Sequence, residues 1–308
     1  MRAGGSLDVR RVEWGSVCVY LALVFGLSWA AFIGLRALGV PFVIRTAAGM
    51  FGPAVSMLVT RLLRREGFGD AGLRLSRGGR LHRAYLYGYG VPVLLLAAGV
   101  ALALLVGGQH WALEENWRAL IGRQLRSIAT LTALLPVVVV SALTVNVLVD
   151  CLGTAGEELG WRGHLLVRLS PLGAATSAVA VGAVWGLWHA PLIALDGYEY
   201  GIRSWLLAAY FCLFTIPTAV ILAWLRFSSG SVWPCVLAHA AINAPAGLIV
   251  LALSRAGNTL IAPPVGVLGM LPFWAFAAWL IVSGRLQVAR PEAAAPAARA
   301  IPPAGPPG

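Results

Sequence analysis

Eight separate stretches of this 308-residue chain are apolar for long enough to cross a bilayer, and no other feature limits the fold as strongly. A membrane helix needs roughly 20 apolar residues. Residues 14–38, 46–63, 84–106, 129–155, 173–195, 203–226, 231–252 and 262–283 each read as one such span. Lipid offers the backbone no hydrogen-bond partners, so consecutive spans of this length must be helices that satisfy their own N–H and C=O groups. The expected fold is all-α: a polytopic membrane helix bundle of about eight transmembrane helices. The connection 64–83 is a basic loop, and no connection between spans is long enough for a soluble domain. Residues 1–290 are expected to form a single transmembrane domain, and 291–308, rich in proline and alanine, a disordered tail.

Composition supports this. The chain is 59% hydrophobic and 11% charged, a surface that lipid solvates and water does not. All 23 basic residues are arginine; against 12 acids they give a net charge of +11. The arginines lie mainly between apolar runs, where topology explains them and nucleic-acid binding is not expected. With eight spans and the N-terminus inside, 16 arginines fall on the cytoplasmic side and 7 outside, so both termini are expected to be cytoplasmic. The N-terminal stretch shows no small-residue cleavage site, so the first span is expected to be retained. Cys18, Cys151, Cys212 and Cys235 sit in apolar runs without CxxC spacing and read as buried hydrophobes. An arginine-only, glycine- and alanine-heavy composition suits a GC-rich bacterial gene, which points to a bacterial cytoplasmic membrane.

Charged groups inside a bilayer are tolerated mainly where they serve a pathway or a site. Three clusters break the apolar pattern, all in the second half of the chain. In Gly156-Glu157-Glu158-Leu159-Gly160-Trp161-Arg162, Glu158 and Arg162 are four apart and can pair on one helix face. Glu157 points about 100° away and is free to face something else. The plainer reading is a charged helix end at the membrane surface, although anchors there are usually basic or aromatic. In Trp185-Gly186-Leu187-Trp188-His189, His189 is a lone histidine that alone would more often be a packing residue. Gly182 and Gly186 form a small-xxx-small pair that lets a neighbouring helix approach. In His239-Ala240-Ala241-Ile242-Asn243 the four-residue step stacks imidazole and amide on one face, equally suited to helix glue. Asn146, Asp150 and Thr154 form a polar stripe leading to Glu157, either along a water path or against a neighbouring helix.

Ser170-Pro171-Leu172-Gly173 reads as a turn between two helices. Glu157 lies 14 residues before Pro171 and His189 lies 18 after it, so they can face each other across a helical hairpin. At that depth the helix carrying Glu157 should run to about residue 169, leaving 129–140 as a separate segment. Amide hydrolysis needs an activated water, a stabilised oxyanion and a protonated leaving amine. A desolvated glutamate can act as general base, a histidine can hold the water, and a second histidine with an asparagine amide can form an oxyanion hole. Glu157, His189, His239 and Asn243 supply each role once. There is no GxSxG and no cysteine beside these histidines, so direct attack by water without a cofactor is the simplest scheme. Glu157, His189 and His239 also fit a catalytic zinc set, although HExxH is absent.

Glu157-Glu158-x-x-x-Arg162, Trp185-x-x-x-His189 and His239-x-x-x-Asn243, in this order, resemble the CAAX-protease and bacteriocin-processing (Abi) family of intramembrane endopeptidases. The resemblance covers about residues 140–250. It implies an eight-helix fold with a catalytic cavity within the bilayer and a glutamate-based mechanism. Glu157 and His189 would activate water, His239 and Asn243 would form the oxyanion hole, and Glu158 with Arg162 would brace the site. Trp185 stands where the family usually has phenylalanine, and its larger ring could narrow the cavity. The expected partners are the lipid bilayer and a peptide or membrane-protein substrate. Two other readings compete: a non-catalytic immunity or scaffold protein of the same fold, and a transporter or proton relay through Glu157, Asp150 and His189. No internal repeat supports the transporter.

Overall fold

The computed structural model describes residues 11–75, 79–107, 109–121, 128–253 and 258–288. The proline- and alanine-rich stretch 291–308 lies outside them. The described residues are helical, with one isolated bridge between Trp111 and Leu253 and no strand. The helices are α1 (Trp14–Ala37), α2 (Phe42–Leu63), α3 (Gly79–Leu105), α4 (Leu113–Ile121), α5 (Ile128–Leu143) and α6, which begins as Val145–Gly160. A π turn, Trp161–Leu165, continues α6 into Leu166–Leu169. There follow α7 (Ala174–Trp188), α8 (Ala190–Asp196), α9 (Trp205–Ser229), α10 (Trp233–Ala252) and α11 (Val267–Val282).

Seven helical stretches are long and apolar enough to cross a bilayer. The chain is a polytopic integral membrane protein. The eighth expected span, 262–283, appears as the shorter α11, because Pro263 and Pro264 have no N–H to give a helix. The apolar stretch Ala133–Leu172 is 40 residues, about twice a bilayer's thickness if straight, and it is broken at Thr144 (φ −131°, ψ −82°). That break separates α5 from α6, so the helix carrying Glu157 starts well after 129 and runs to Leu169, as the depth of the glutamate requires. The expected turn follows: Ser170–Leu172 forms a single 3₁₀ turn, and Gly173 (φ +96°) takes a backbone angle disfavoured for other residues.

Glycines set the packing. A Cβ at Gly182 would sit 2.6 Å from the Cα of Ile216, and one at Gly186 would sit 2.7 Å from the Cys212 sulfur, so α7 and α9 touch backbone to backbone. Thr215 on α9 adds a hydroxyl hydrogen bond to the Gly182 carbonyl at 2.8 Å. A second pair, Gly156 and Gly160, gives α2 the same close seat on α6, where a Cβ would meet Met50 and Pro53. The α6 helix lies between α2 and α10, while α9 packs against α7, α10 and α11. Two-thirds of the most apolar window of α9 is buried, against 28% for α1. The motif residues Glu157, Glu158, Arg162, Trp185, His189 and His239 are buried between the helices, while α1 and α3 leave most of their apolar windows exposed to lipid.

Candidate active site

The two adjacent glutamates of α6 meet different surroundings. Glu158 is wholly buried and ion-paired to Arg162 at 2.7 Å, the i,i+4 pair read from the sequence. The same oxygen, Oε1, lies 3.0 Å from His239 Nδ1 on α10. Arg162 also spreads over the Trp185 ring, its guanidinium carbon 4.7 Å from the centroid, a cation–π contact that accommodates donors with no hydrogen-bond acceptor. Glu158 thus joins α6 to α10 and indirectly to α7. Glu157, one residue earlier, points elsewhere. Its Oε2 accepts the Trp185 indole N–H at 2.8 Å, and it lines a cavity of about 240 Å³.

That hydrogen bond follows from register. Glu157 precedes Pro171 by 14 residues and Trp185 follows it by 14 (171−157 and 185−171), so both stand about 21 Å from the turn. The residue level with Glu157 across the hairpin is Trp185, and His189 lies one helical turn farther. Phenylalanine has no N–H, so Trp185 contributes a bond to the glutamate in addition to its bulk.

His189 lines the same cavity. Its Nδ1 lies 2.8 Å from the Trp185 carbonyl. A carbonyl can only accept, so Nδ1 carries the proton and Nε2 is left as an acceptor. The rings of Trp188, Phe211 and Tyr198 enclose the imidazole, with centroids at 4.7, 4.9 and 6.1 Å. On α10, His239 and Asn243 both line the cavity. With its Nδ1 donating to the Glu158 carboxylate, the His239 ring offers a second N–H, at Nε2, only when doubly protonated. The Asn243 amide nitrogen donates to the Asp150 side chain and keeps one N–H.

The expected set of Glu157, His189, His239 and Asn243 therefore surrounds one cavity, while Glu158 and Arg162 lie behind it and Trp185 forms part of its wall. Of the polar stripe, Asp150 alone faces the cavity. Thr154 bonds the Val236 carbonyl at 3.2 Å and Asn146 pairs with Ser141 at 3.1 Å. Among the described residues no three His, Cys, Asp or Glu side chains are grouped as a metal ligand set. Sequence reasoning missed Tyr198 and Glu199 in the cavity wall. Their one signal was a carboxylate in a short glycine-flanked loop, Gly197-Tyr198-Glu199-Tyr200-Gly201.

Comparison with known proteins follows the motifs. Residues 128–245 match the family model described as type II CAAX prenyl endopeptidase, Rce1-like. The chain is also similar to a protein named CAAX prenyl protease 2 from Methanococcus maripaludis, 33% identical over 92 residues. That match covers 28% of this chain and 34% of the relative, so it spans about a third of the relative's length.

Proposed function

We propose, from the match of residues 128–245 to the Rce1-like family model and from the geometry of the cavity, that this chain is an intramembrane endopeptidase. The observation that carries the proposal is that Glu157, His189, His239 and Asn243 line one cavity. Water in that space is positioned by His189 Nε2 and gives a proton to Glu157. The resulting hydroxide attacks the scissile carbonyl carbon. Charge developing on the carbonyl oxygen is held by the remaining Asn243 N–H and by Nε2–H of doubly protonated His239, preset donors that act where little water competes. The proton on Glu157 passes to the departing amine as the C–N bond breaks, yielding a carboxylic acid and an amine. Glu158, Arg162 and Trp185 position these groups. The scheme needs no metal, so activity is expected to survive chelation. The membrane is proposed to be a bacterial cytoplasmic membrane with both termini on the cytoplasmic side.

Glu157→Gln keeps an acceptor for the Trp185 indole but cannot serve as a base. In reconstituted vesicles it should lower peptide cleavage by about 10³-fold while the thermal unfolding midpoint stays close to that of the unaltered chain. Cleavage at the original rate would remove Glu157 as the base, and absence of cleavage by the unaltered chain would favour an immunity or scaffold role. Proton flux through protein-loaded vesicles, abolished by the same substitution, would favour a relay.

A further inference from the structure

A second cavity, of about 280 Å³, adjoins the first. Glu199, Pro264 and Val265 belong to the walls of both, so the two spaces adjoin at these residues. Its wall is otherwise largely apolar, with Val250, Leu253 and Ala262, and Glu199 is its one carboxylate. Glu199 is held at φ +66°, a region rarely adopted by non-glycine residues, between Gly197 (φ +73°) and Gly201 (φ +68°).

Neighbouring Asp196 shows what a structural carboxylate looks like in this loop. Arg45 grips it through both oxygens at 2.7 and 2.8 Å, and Arg36 adds a third contact at 3.1 Å. Glu199, three residues on, has the Tyr198 hydroxyl as its hydrogen-bond partner and no paired cation among the described residues. The chain contains no lysine, and no arginine lines either cavity. Burial pushes the Glu199 carboxyl above its ordinary value, with the Tyr198 hydroxyl pulling it partly back. A cation brought alongside would stabilise the ionised form.

We propose that the two cavities form one peptide-binding channel, and that Glu199 at their junction determines specificity by receiving an arginine or lysine side chain of the substrate. The apolar second cavity takes the neighbouring apolar residues. A segment of mixed apolar and basic character fits this channel better than one with a carboxylate at the same place. The inference rests on the reading of the first cavity as the site of peptide cleavage.

The test measures binding and cleavage separately. Short leucine/alanine peptides with one arginine walked through the central positions, and matched glutamine and glutamate versions, are titrated against the full-length chain in nanodiscs. At one position the arginine peptide should bind about tenfold or more tighter than its glutamate counterpart, a margin that E199Q shrinks to about twofold and E199R reverses. Equal affinity of all three versions at every position, measured on the unaltered chain, overturns the proposal whether or not the variants fold. A preference that persists in E199Q also overturns it. If the affinity order holds but Glu157→Gln still cleaves at full rate, the specificity site stands and the catalytic assignment falls.

Discussion

The α6 helix carries two buried charged clusters that follow opposite rules. Toward its end, Arg168 pairs with Glu66 at 2.7 Å and with Asp70 at 2.6 Å, and Arg61 pairs with the other Asp70 oxygen at 2.6 Å. Arg61 also donates to the Gly163 carbonyl at 3.0 Å, and Arg226 to the Asp70 carbonyl at 2.6 Å. Both Asp70 carboxylate oxygens have an arginine, and the cluster clamps the 64–75 loop to α6 and α9. Toward the middle of the helix, Glu157 has an indole on one oxygen and a cavity beside it, and the paired Glu158 stands behind. Asp70, with an arginine on each carboxylate oxygen, is a charge that holds the protein together. Incomplete satisfaction beside an empty volume marks charges available for chemistry. The distinction is needed because both kinds are buried, and in the sequence both appear only as ionisable residues near apolar runs.

Substitutions can break or sharpen this contrast. Asp70→Asn should destabilise the chain by about 3 kcal/mol in thermal or denaturant unfolding, because two largely buried arginines lose their carboxylate. Its cleavage rate per folded molecule should be unchanged, and a loss of rate without a loss of stability would erase the distinction. Asn243→Ala should do the reverse, lowering kcat by about 10²–10³-fold with little effect on unfolding, as expected for one oxyanion donor. Trp185→Phe should lower kcat/KM by about tenfold, the loss of a hydrogen bond to a charged acceptor. A rate equal to that of the unaltered chain would reduce the indole N–H to packing.

The smallest expected effect is on pH dependence. Burial pushes the Asp70 carboxyl up, but Arg61 and Arg168 together hold it below its ordinary value. A carboxylate lowered in the folded state contributes stability above its unfolded pKa of about 3.9 and loses it as pH falls through the folded value. Unfolding midpoints should therefore drop below about pH 4 in the parent and drop less in Asp70→Asn.

Most of the architecture was legible because lipid imposes a simple rule on apolar run length. The eighth span came out short because its first residues include two prolines that length and hydropathy alone do not weigh. The i,i+4 pair Glu158–Arg162 was readable because helical spacing fixes it locally. The partner of Glu157 was not identified, although the equal 14-residue offsets of Glu157 and Trp185 from Pro171 were in plain sight. Tryptophan in a membrane helix usually reads as bulk, and the ionisable His189 one turn away carries the stronger signal. The arginines of the loop cluster illustrate the opposite difficulty. Arg61, Arg168 and Arg226 were counted as topology signals, yet their guanidinium groups are engaged inside the protein. Nothing in local spacing foretells a contact between residues about a hundred positions apart.

The π turn Trp161–Leu165 lies between the two clusters of α6. A five-residue hydrogen-bonded loop holds one residue more than an α-helical one, and each residue turns the helix by about 100°. The insertion therefore works as a phase shifter. It lets Glu157 keep its bearing on the hairpin partner while Arg168 keeps its own bearing on Asp70 and Glu66. Deleting a single residue there would barely shorten the span, yet it would swing one end of the helix out of step with the other.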